Sequence, residues 1–577
     1  MKELNLGDSD FKSTIENNNY FVDKSLFVEE VIKAQKAVIL LPRPRRFGKT
    51  MNLSMLKYFF VKNETDNKKL FTKLKIWQTG NDIKKHCGKY PVISLSFKDA
   101  KEEKWNNTLN HIKIEIAEAY KQHIFLLESN ILYDFEKDIF TKIITRKADD
   151  VDFQASLKNL SEYLQRYHNE KVVILIDEYD TPIQAGYKKF YDDVTPFMRN
   201  LLSGAFKDNS NLYKGIITGI LRVSRESIFS GLNNISVYSI INHKFSDKFG
   251  FTEPEVKQIL SDFKVTTGFD QIKKWYDGYK FGKCENIYNP WSILCYVSEI
   301  EDGLKTYWAN TSSNELIKHE IKKKGAENIR KDILDLINNI TIIRDLEENF
   351  VFPDLESRKS LLWTLLTFSG YLSVKNKISR KEYELAIPNY EIKTIFQDTI
   401  IEWFEGDLNV IKSLLKDTAS YLVNNEISKF ETGFRQIMGD TFSYYDTAKN
   451  HEYVYQSYIL GLLAIIGDDY MIKSNRESGE GRYDIMLIPR NSVKTHGHTS
   501  QYGIVIEIKQ IERWKEKESN EDFAKRINLT IEKTGLQIDK NKYYKELVEN
   551  KIAPDKIIKV PIVFAGKEPY VLPIKMK

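Results

Sequence analysis

Along the first 245 residues, short unbroken apolar runs alternate with longer stretches whose apolar residues recur every three or four positions. The runs fall at residues 37–41, 91–97, 172–176, 213–219 and 236–241. Unbroken runs, unlike alternating ones, predict strands buried on both faces of a parallel sheet. The stretches at 53–60, 105–123 and 153–167 predict the helices between them. Strand–helix–strand order gives an α/β fold with crossover connections.

Beyond residue 245 the texture turns mostly helical, with loops expected around 275–282 and 288–291. From about residue 432 another order of elements appears. It comprises a helix at 453–466, a polar turn at 474–481, an alternating strand at 483–488 and a polar loop at 490–501. A second strand at 502–509, a helix from about Glu521 and a late strand at 559–564 complete it. The expected division is therefore 1–245, 246–345, 346–431 and 432–577.

Composition supports several packed cores, because 577 residues with 42% hydrophobic and 12% aromatic content exceed one ordinary domain. Lys plus Arg number 86 against 81 Asp plus Glu, a formal charge of +5. Such near balance argues against a bulk polycation, so any polyanion site must be local. Three cysteines without CxxC spacing argue against a disulfide framework or structural zinc and fit a reducing compartment. The opening MKELNLGDSDFK has no apolar stretch, and the longest apolar runs are too short to span a bilayer. A soluble cytoplasmic protein with no membrane partner is the expectation.

The first candidate chemistry follows strand 37–41, where PRPRRFGKT leads into a helix. In a phosphate-binding loop, successive backbone N–H groups and a helix N-terminus surround the β-phosphate. A Lys meets the β- and γ-phosphates, and a Ser or Thr hydroxyl ligates magnesium. Arg46, Phe47, Gly48, Lys49 and Thr50 form that candidate set. The general spacing GxxxxGK[ST] asks for Gly at position 43, where this chain has Arg43. The run Arg43, Arg45 and Arg46 is open to three readings: phosphate binding, partner binding, or a substitute for the lost turn geometry.

Strand 172–176 ends in Asp177 and Glu178. An apolar strand ending in two acids suits a magnesium-organising Asp177 beside a water-polarising Glu178. Thr218, at the end of strand 213–219, is placed as a polar sensor of the γ-phosphate or water. Arg222 is open between stabilising transferred charge and an ordinary helix start.

The second constellation is C-terminal. Asp484 lies on strand 483–488, and Glu507 and Lys509 share one face of strand 502–509. An antiparallel hairpin would set Asp484 opposite Glu507. The two carboxylates would share magnesium while Lys509 meets the scissile phosphate or water. Glu452 precedes the hairpin as a further acid, Gly479 and Gly481 allow close backbone approach, and Gln537 and Tyr543 are placed to face the same site, with helical packing an equal reading for Tyr543. His496 and His498 read as a solvated loop pair.

These strings resemble a family of microbial proteins that pair an AAA-ATPase-like domain with a PD-(D/E)xK nuclease-superfamily domain. The resemblance rests on FVDKSLFVEE (21–30), RPRRFGKT (43–50), LIDEYDTPI (175–183), TGILRVSRESIFSGLNN (218–234), WYDGYKFG (275–282) and YNPWSIL (288–294). Near the C-terminus it rests on SNRESGEGRYDIMLIP (474–489), IVIEIK (504–509) and TGLQIDKNKYY (534–544). It implies a P-loop NTPase parallel-sheet domain over 1–245 and a helical lid or winged-helix-like region over 246–345. A helical connector over 346–431 and a restriction-endonuclease-like α/β domain over 432–577 would follow.

The expected function is an ATP-binding and ATP-hydrolysing protein whose nucleotide state regulates a magnesium-dependent nuclease acting on DNA. Catalysis is expected of Glu178, Asp484, Glu507 and Lys509, with magnesium at Thr50, Asp177, Asp484 and Glu507. The alternative is an ATP-dependent switch or scaffold whose C-terminal domain binds nucleic acid or protein without turnover. Arginines near the loop leave room for a homo-oligomer that completes its nucleotide site in trans.

Overall fold

The computed structural model describes residues 2–62, 66–221, 234–308, 327–348, 352, 354, 358, 360–408, 411–441, 452–467, 469–490, 502–513, 518–572 and 574–575. The chain divides into two units that interleave along the sequence. One comprises Met1–Trp308 with Ile343–Glu391, the other Ala309–Ile342 with Ile392–Lys577.

The first unit is built on five parallel strands: β1 (Val38–Pro42), β2 (Val92–Ser96), β3 (Val172–Asp177), β4 (Leu212–Gly219) and β5 (Ile235–Val237). Their order is β2-β3-β4-β1-β5. Every residue of β1 and β3 is buried, as unbroken apolar runs require when helices cover both faces. β4 lies between β1 and β3, pairing Leu41 with Thr218 and Ile176 with Ile217. The C-terminal ends of β1, β3 and β4 therefore meet at one edge of the sheet, where ligands bind in open α/β folds.

Strands β1–β4 lie within one residue of the expected runs at either end. The fifth is shorter than the expected 236–241. It stops at Val237, and the Asn242 side chain accepts the Ser239 N–H at 2.7 Å, closing a turn that extended backbone would have prevented. The helix expected at 53–60 runs over Lys49–Phe60. Its first turn carries polar loop residues that apolar periodicity does not register.

Residues 246–308 add a small antiparallel sheet of β6 (Phe251–Thr252), β7 (Tyr279–Phe281) and β8 (Cys284–Tyr288), in the order β6-β8-β7. The expected loops at 275–282 and 288–291 are thus largely ordered elements. Asn289 caps the helix Pro290–Ser298 by accepting the N–H groups of Trp291 and Ser292, and Pro290 opens it. Val256, Ile259, Ile272, Tyr276 and Tyr296 form a local core onto which N-terminal Leu4, Tyr20 and Val22 pack. A second three-stranded sheet combines β9 (Ile342–Asp345), β10 (Ser373–Lys377) and β11 (Glu382–Ala386). The middle of the chain is helical with two small sheets set into it.

The C-terminal sheet holds β12 (Tyr470–Ser478), β13 (Gly481–Pro489), β14 (Gly503–Ile511), β15 (Ile557–Ala565), β16 (Glu568–Val571) and β17 (Ile574–Lys575). The order is β12-β13-β14-β15-β16, with β17 also on β15. Among the described strands of this sheet, only β14 and β15 pair in parallel, and the helix Asn520–Lys540 lies on the crossover between them. Most of the expected polar turn at 474–481 is β12, paired to β13 from Tyr470–Pro489 to Ser478–Gly481. β12 is an edge strand, and edge strands carry polar residues without losing their ladder. Gly479, at φ +65°, makes the actual turn. Among the described residues, no helix is long and apolar enough to cross a membrane.

Candidate functional site

The loop after β1 is shaped by two left-handed residues, Arg46 at φ +64° and Gly48 at φ +82°. Gly48 adopts this conformation at no steric cost and directly precedes the helix that starts at Lys49. Arg43 has no positive φ, so the entry turn here does not need the glycine that the general spacing demands. The Arg43 side chain instead turns inward and is fully buried. Its guanidinium donates to the carbonyls of Pro42, Tyr238 and Phe245 and lies 4.8 Å from the Phe249 ring centroid. Burial pushes the Arg43 pKa down to about 9. Of the three readings open for this arginine, a structural substitute fits the geometry: Arg43 braces the loop from beneath.

Lys49 is buried, and its ammonium donates to the carbonyls of Arg43 and Pro44 at 3.2 and 3.0 Å. Burial pushes its pKa down, opposed by the charges of Asp177, Glu178 and Asp180. Asp177 ends β3 and accepts two hydroxyls, Thr50 at 2.6 Å on Oδ2 and Thr218 at 2.5 Å on Oδ1. Lys49, Thr50, Asp177, Glu178 and Thr218 therefore gather at one edge of the sheet from three separate strand ends. Arg222 lies outside the described residues.

A cavity of about 300 Å³ adjoins the loop. Arg46, Phe47, Gly48, Lys49, Thr50 and Glu178 form one side of it. The other walls come from the N-terminal Asn5–Ser9 stretch, Tyr20–Val22, Phe251, Trp291 and Leu294. Phe21, Val22, Trp291 and Leu294 lie in strings that carry the family resemblance, but without an expected site role. Arg46 clamps one wall, with its guanidinium 4.5 Å from the Trp291 ring centroid and donating to the Tyr307 carbonyl at 2.9 Å. Buried Glu391 holds that wall by accepting the N–H groups of Tyr307 and Trp308 and the Ser292 hydroxyl. Asp10 ties the N-terminal stretch to the helix Lys49–Phe60 through Ser54 and Tyr58. It is tertiary packing that brings the N-terminal stretch and the 291–308 and 391 positions to the loop.

In the C-terminal unit, β13 and β14 pair with Ile485 opposite Ile506, which sets Asp484 and Glu507 at the next step of the ladder. Asp484 Oδ2 accepts the Ile508 N–H at 2.7 Å. Lys509 Nζ lies 3.6 Å from Glu507 Oε1, as expected for residues two apart on a strand. Gln537, from the helix Asn520–Lys540, donates to Glu507 Oε1 at 2.7 Å and also contacts the Tyr543 hydroxyl. Gly479 passes so close to the Asn541 carbonyl that a Cβ would sit 2.2 Å from its oxygen, which confirms the close approach expected there. Gln456, missed in the sequence, donates to the Asp484 carbonyl at 2.8 Å. The side chain of Glu452 and both His496 and His498 lie outside the described residues.

Both donor sets fit magnesium by their chemistry. Each offers hard oxygens, Thr50 with Asp177 and Asp484 with Glu507. Magnesium bound through one or two protein oxygens, with water and substrate phosphate completing the shell, needs no larger cluster. Accordingly, no group of three or more His, Cys, Asp or Glu suited to a metal occurs among the described residues.

Comparison with known proteins matches two separate stretches of the chain. Residues 5–229 match a family model described as "Predicted AAA-ATPase", and residues 450–572 match that of the PD-(D/E)XK nuclease superfamily. A protein of Azotobacter chroococcum mcd 1, "Uncharacterized protein in vnfD 5'region", is 25% identical over 414 residues, covering 69% of this chain and 70% of the relative. Among solved structures, the Walker-type ATPase PABY2304 of Pyrococcus abyssi is 14% identical. That alignment covers 69% of this chain and 98% of the neighbour, with a TM-score of 0.34.

Proposed function

From a chain that joins an AAA-ATPase-like domain to a PD-(D/E)XK nuclease-superfamily domain, we propose an ATP-hydrolysing protein whose nucleotide state regulates magnesium-dependent cleavage of DNA. The observation that carries the reading is Asp177, whose two oxygens hold hydroxyls from the loop helix and from β4. That arrangement brings a loop lysine and an adjacent glutamate to one cavity.

At the first site, the loop amides and Lys49 bind the phosphates of ATP, with Lys49 exchanging its loop carbonyls for phosphate oxygens. Glu178 accepts a proton from the attacking water, and Thr218 keeps Asp177 oriented. Thr50 and Asp177 hold magnesium here, and Asp484 and Glu507 hold it at the second site. When bound, the ion neutralises phosphate charge and polarises the bond to be broken. At the second site Lys509 faces the scissile phosphate, and Gln537 keeps Glu507 in place.

Regulation finds support in the course of the chain, which passes between the two units three times, after residues 308, 342 and 391. No single linker separates them, so a change in one unit has several covalent routes to the other. The three free thiols Cys87, Cys284 and Cys295 support a reducing, cytoplasmic setting.

ATP hydrolysis and cleavage of linear and circular DNA, measured on one preparation with magnesium, test the proposal. Asp484→Ala is expected to lose DNA cleavage while keeping ATP hydrolysis. Lys49→Ala is expected to lose hydrolysis, and its DNA cleavage no longer responds to ATP. Equal cleavage by Asp484→Ala rejects the nuclease, and unchanged hydrolysis by Lys49→Ala rejects the ATPase. Wild-type cleavage indifferent to ATP rejects the regulation.

A further inference from the structure

Asp180 follows Glu178 by two residues and is buried to 1% exposure. It directly precedes the helix Thr181–Gly186, the position from which an Asp ordinarily caps a helix by accepting its first N–H groups. Asp180 makes no such bond. Its Oδ2 instead accepts the backbone N–H groups of Ile220 and Leu221, at 3.0 and 2.9 Å, and the Gln184 amide at 2.7 Å. Ile220 and Leu221 are the first residues after β4, directly beyond Thr218 and Gly219.

Three other bonds join the same two segments, and a fourth closes the turn within the first. The Tyr179 N–H donates to the Thr218 carbonyl at 3.1 Å, and the Tyr179 hydroxyl donates to the Leu221 carbonyl at 2.8 Å. The Thr218 hydroxyl reaches Asp177, and the backbone N–H of Glu178 turns back to the same carboxylate oxygen at 3.0 Å. The fit is close: a Cβ on Gly219 would meet Asp180 Oδ1 at 2.4 Å and the Tyr179 ring at 2.8 Å. Within this clamp Glu178 holds φ +51°, a left-handed conformation costly for a glutamate. Such a conformation persists where its surroundings over-determine it. Here the turn is fixed on both sides, by Asp177 before it and by Asp180 after it.

We infer that Asp180 is a positioning residue of the ATP site, acting through the exit of β4 to hold Glu178 in its strained conformation, aimed into the cavity, and Thr218 against Asp177. The inference rests on the ATPase reading of that site. Burial pushes the Asp180 carboxyl pKa up, while the two amides and the nearby Lys49 ammonium oppose it.

Asp180→Ala, Asp180→Asn and Glu178→Gln are compared with the wild type for magnesium-ATP affinity, turnover and amide hydrogen exchange over residues 212–221. Asp180→Ala should lower kcat about 100-fold, the scale of a small misplacement of a catalytic group. Its affinity for magnesium-ATP should stay within about 3-fold. Exchange at Ile220 and Leu221 should quicken by about 10-fold or more once their acceptor is gone. Asp180→Asn retains a carbonyl oxygen for both amides and should restore most of kcat. Asp180→Ala turnover within about 2-fold of wild type overturns the inference, as does equal loss of affinity and kcat in both Asp180 variants. A wild type no faster than Glu178→Gln defeats the ATPase reading instead. The clamp is then judged by exchange alone, and unchanged protection at residues 220 and 221 rejects it.

Discussion

The Thr50 hydroxyl donates to Asp177 Oδ2 at 2.6 Å, closing a bridge between residues 127 positions apart in the chain. One end opens the helix after the loop, and the other ends a buried strand. In a nucleotide site, a hydroxyl and a carboxylate so placed are adjacent ligands of one magnesium ion. Thr50→Val removes the hydroxyl while keeping the side-chain volume. Calorimetric titration should show magnesium-ATP affinity falling about 10- to 100-fold, with affinity for metal-free ATP nearly unchanged. A loss of equal size without metal would deny Thr50 its magnesium role.

Arg43 occupies the position where the general loop spacing has glycine, so Arg43→Gly restores the consensus. It also leaves the Tyr238 and Phe245 carbonyls without their donor and opens a cavity between Phe249 and Phe281. Lost buried hydrogen bonds and packing should destabilise the first unit by about 3 kcal/mol. Chemical denaturation monitored by fluorescence reads this as a lower midpoint, with no gain in ATP affinity. A gain in affinity at unchanged stability would contradict the bracing role.

Gln537 donates to Glu507 Oε1 at 2.7 Å, so Gln537→Leu should act through the carboxylate. The expected result is a rise of about 10-fold in the magnesium needed for half-maximal DNA cleavage, with cleavage largely recovered at saturating metal. Cleavage against magnesium concentration measures it. An unchanged requirement would reduce Gln537 to packing.

His123 ties stability to pH. Burial pushes its imidazole down to about 4; the Val92 backbone opposes this, and the charges of His168 and Lys57 add to it. The unfolded chain takes up the proton near pH 6.5, whereas the folded chain does so only near 4. Stability is thus present above pH 6.5 and is lost as pH falls towards 4, by about 2 kcal/mol at pH 4.5. His123→Gln cannot titrate, so its urea midpoint should fall less than the wild type's between pH 7 and pH 4.5. An identical fall in both proteins would show that His123 stays solvated.

Apolar runs located β1 to β4 because a strand buried on both faces leaves an unbroken hydrophobic signature. The same rule failed at 474–481, since β12 lies at a sheet edge and its polar residues read as a turn. It overextended β5, where the Ser239 N–H donates to the Asn242 side chain in a local turn after Val237. The Asp484, Glu507 and Lys509 constellation was legible because strand alternation and a hairpin suffice to bring it together. Gln456 joins it from a separate helix, a relation that no local period records.

The sequence by itself determined which chemical groups this protein carries: the GKT loop, the Asp-Glu strand end, and the two acids and lysine of the C-terminal hairpin. Each lies within a few residues of its element, where periodicity and turn chemistry act. Only the tertiary structure decided that Arg43 turns inward as a brace, that N-terminal residues wall the cavity beside the loop, and that Asp180 accepts the amides at the exit of β4. Those outcomes depend on burial and on hydrogen-bond partners tens to hundreds of residues away. Such partners are chosen by the packing of the whole unit and leave no mark on the spacing of the residues they join.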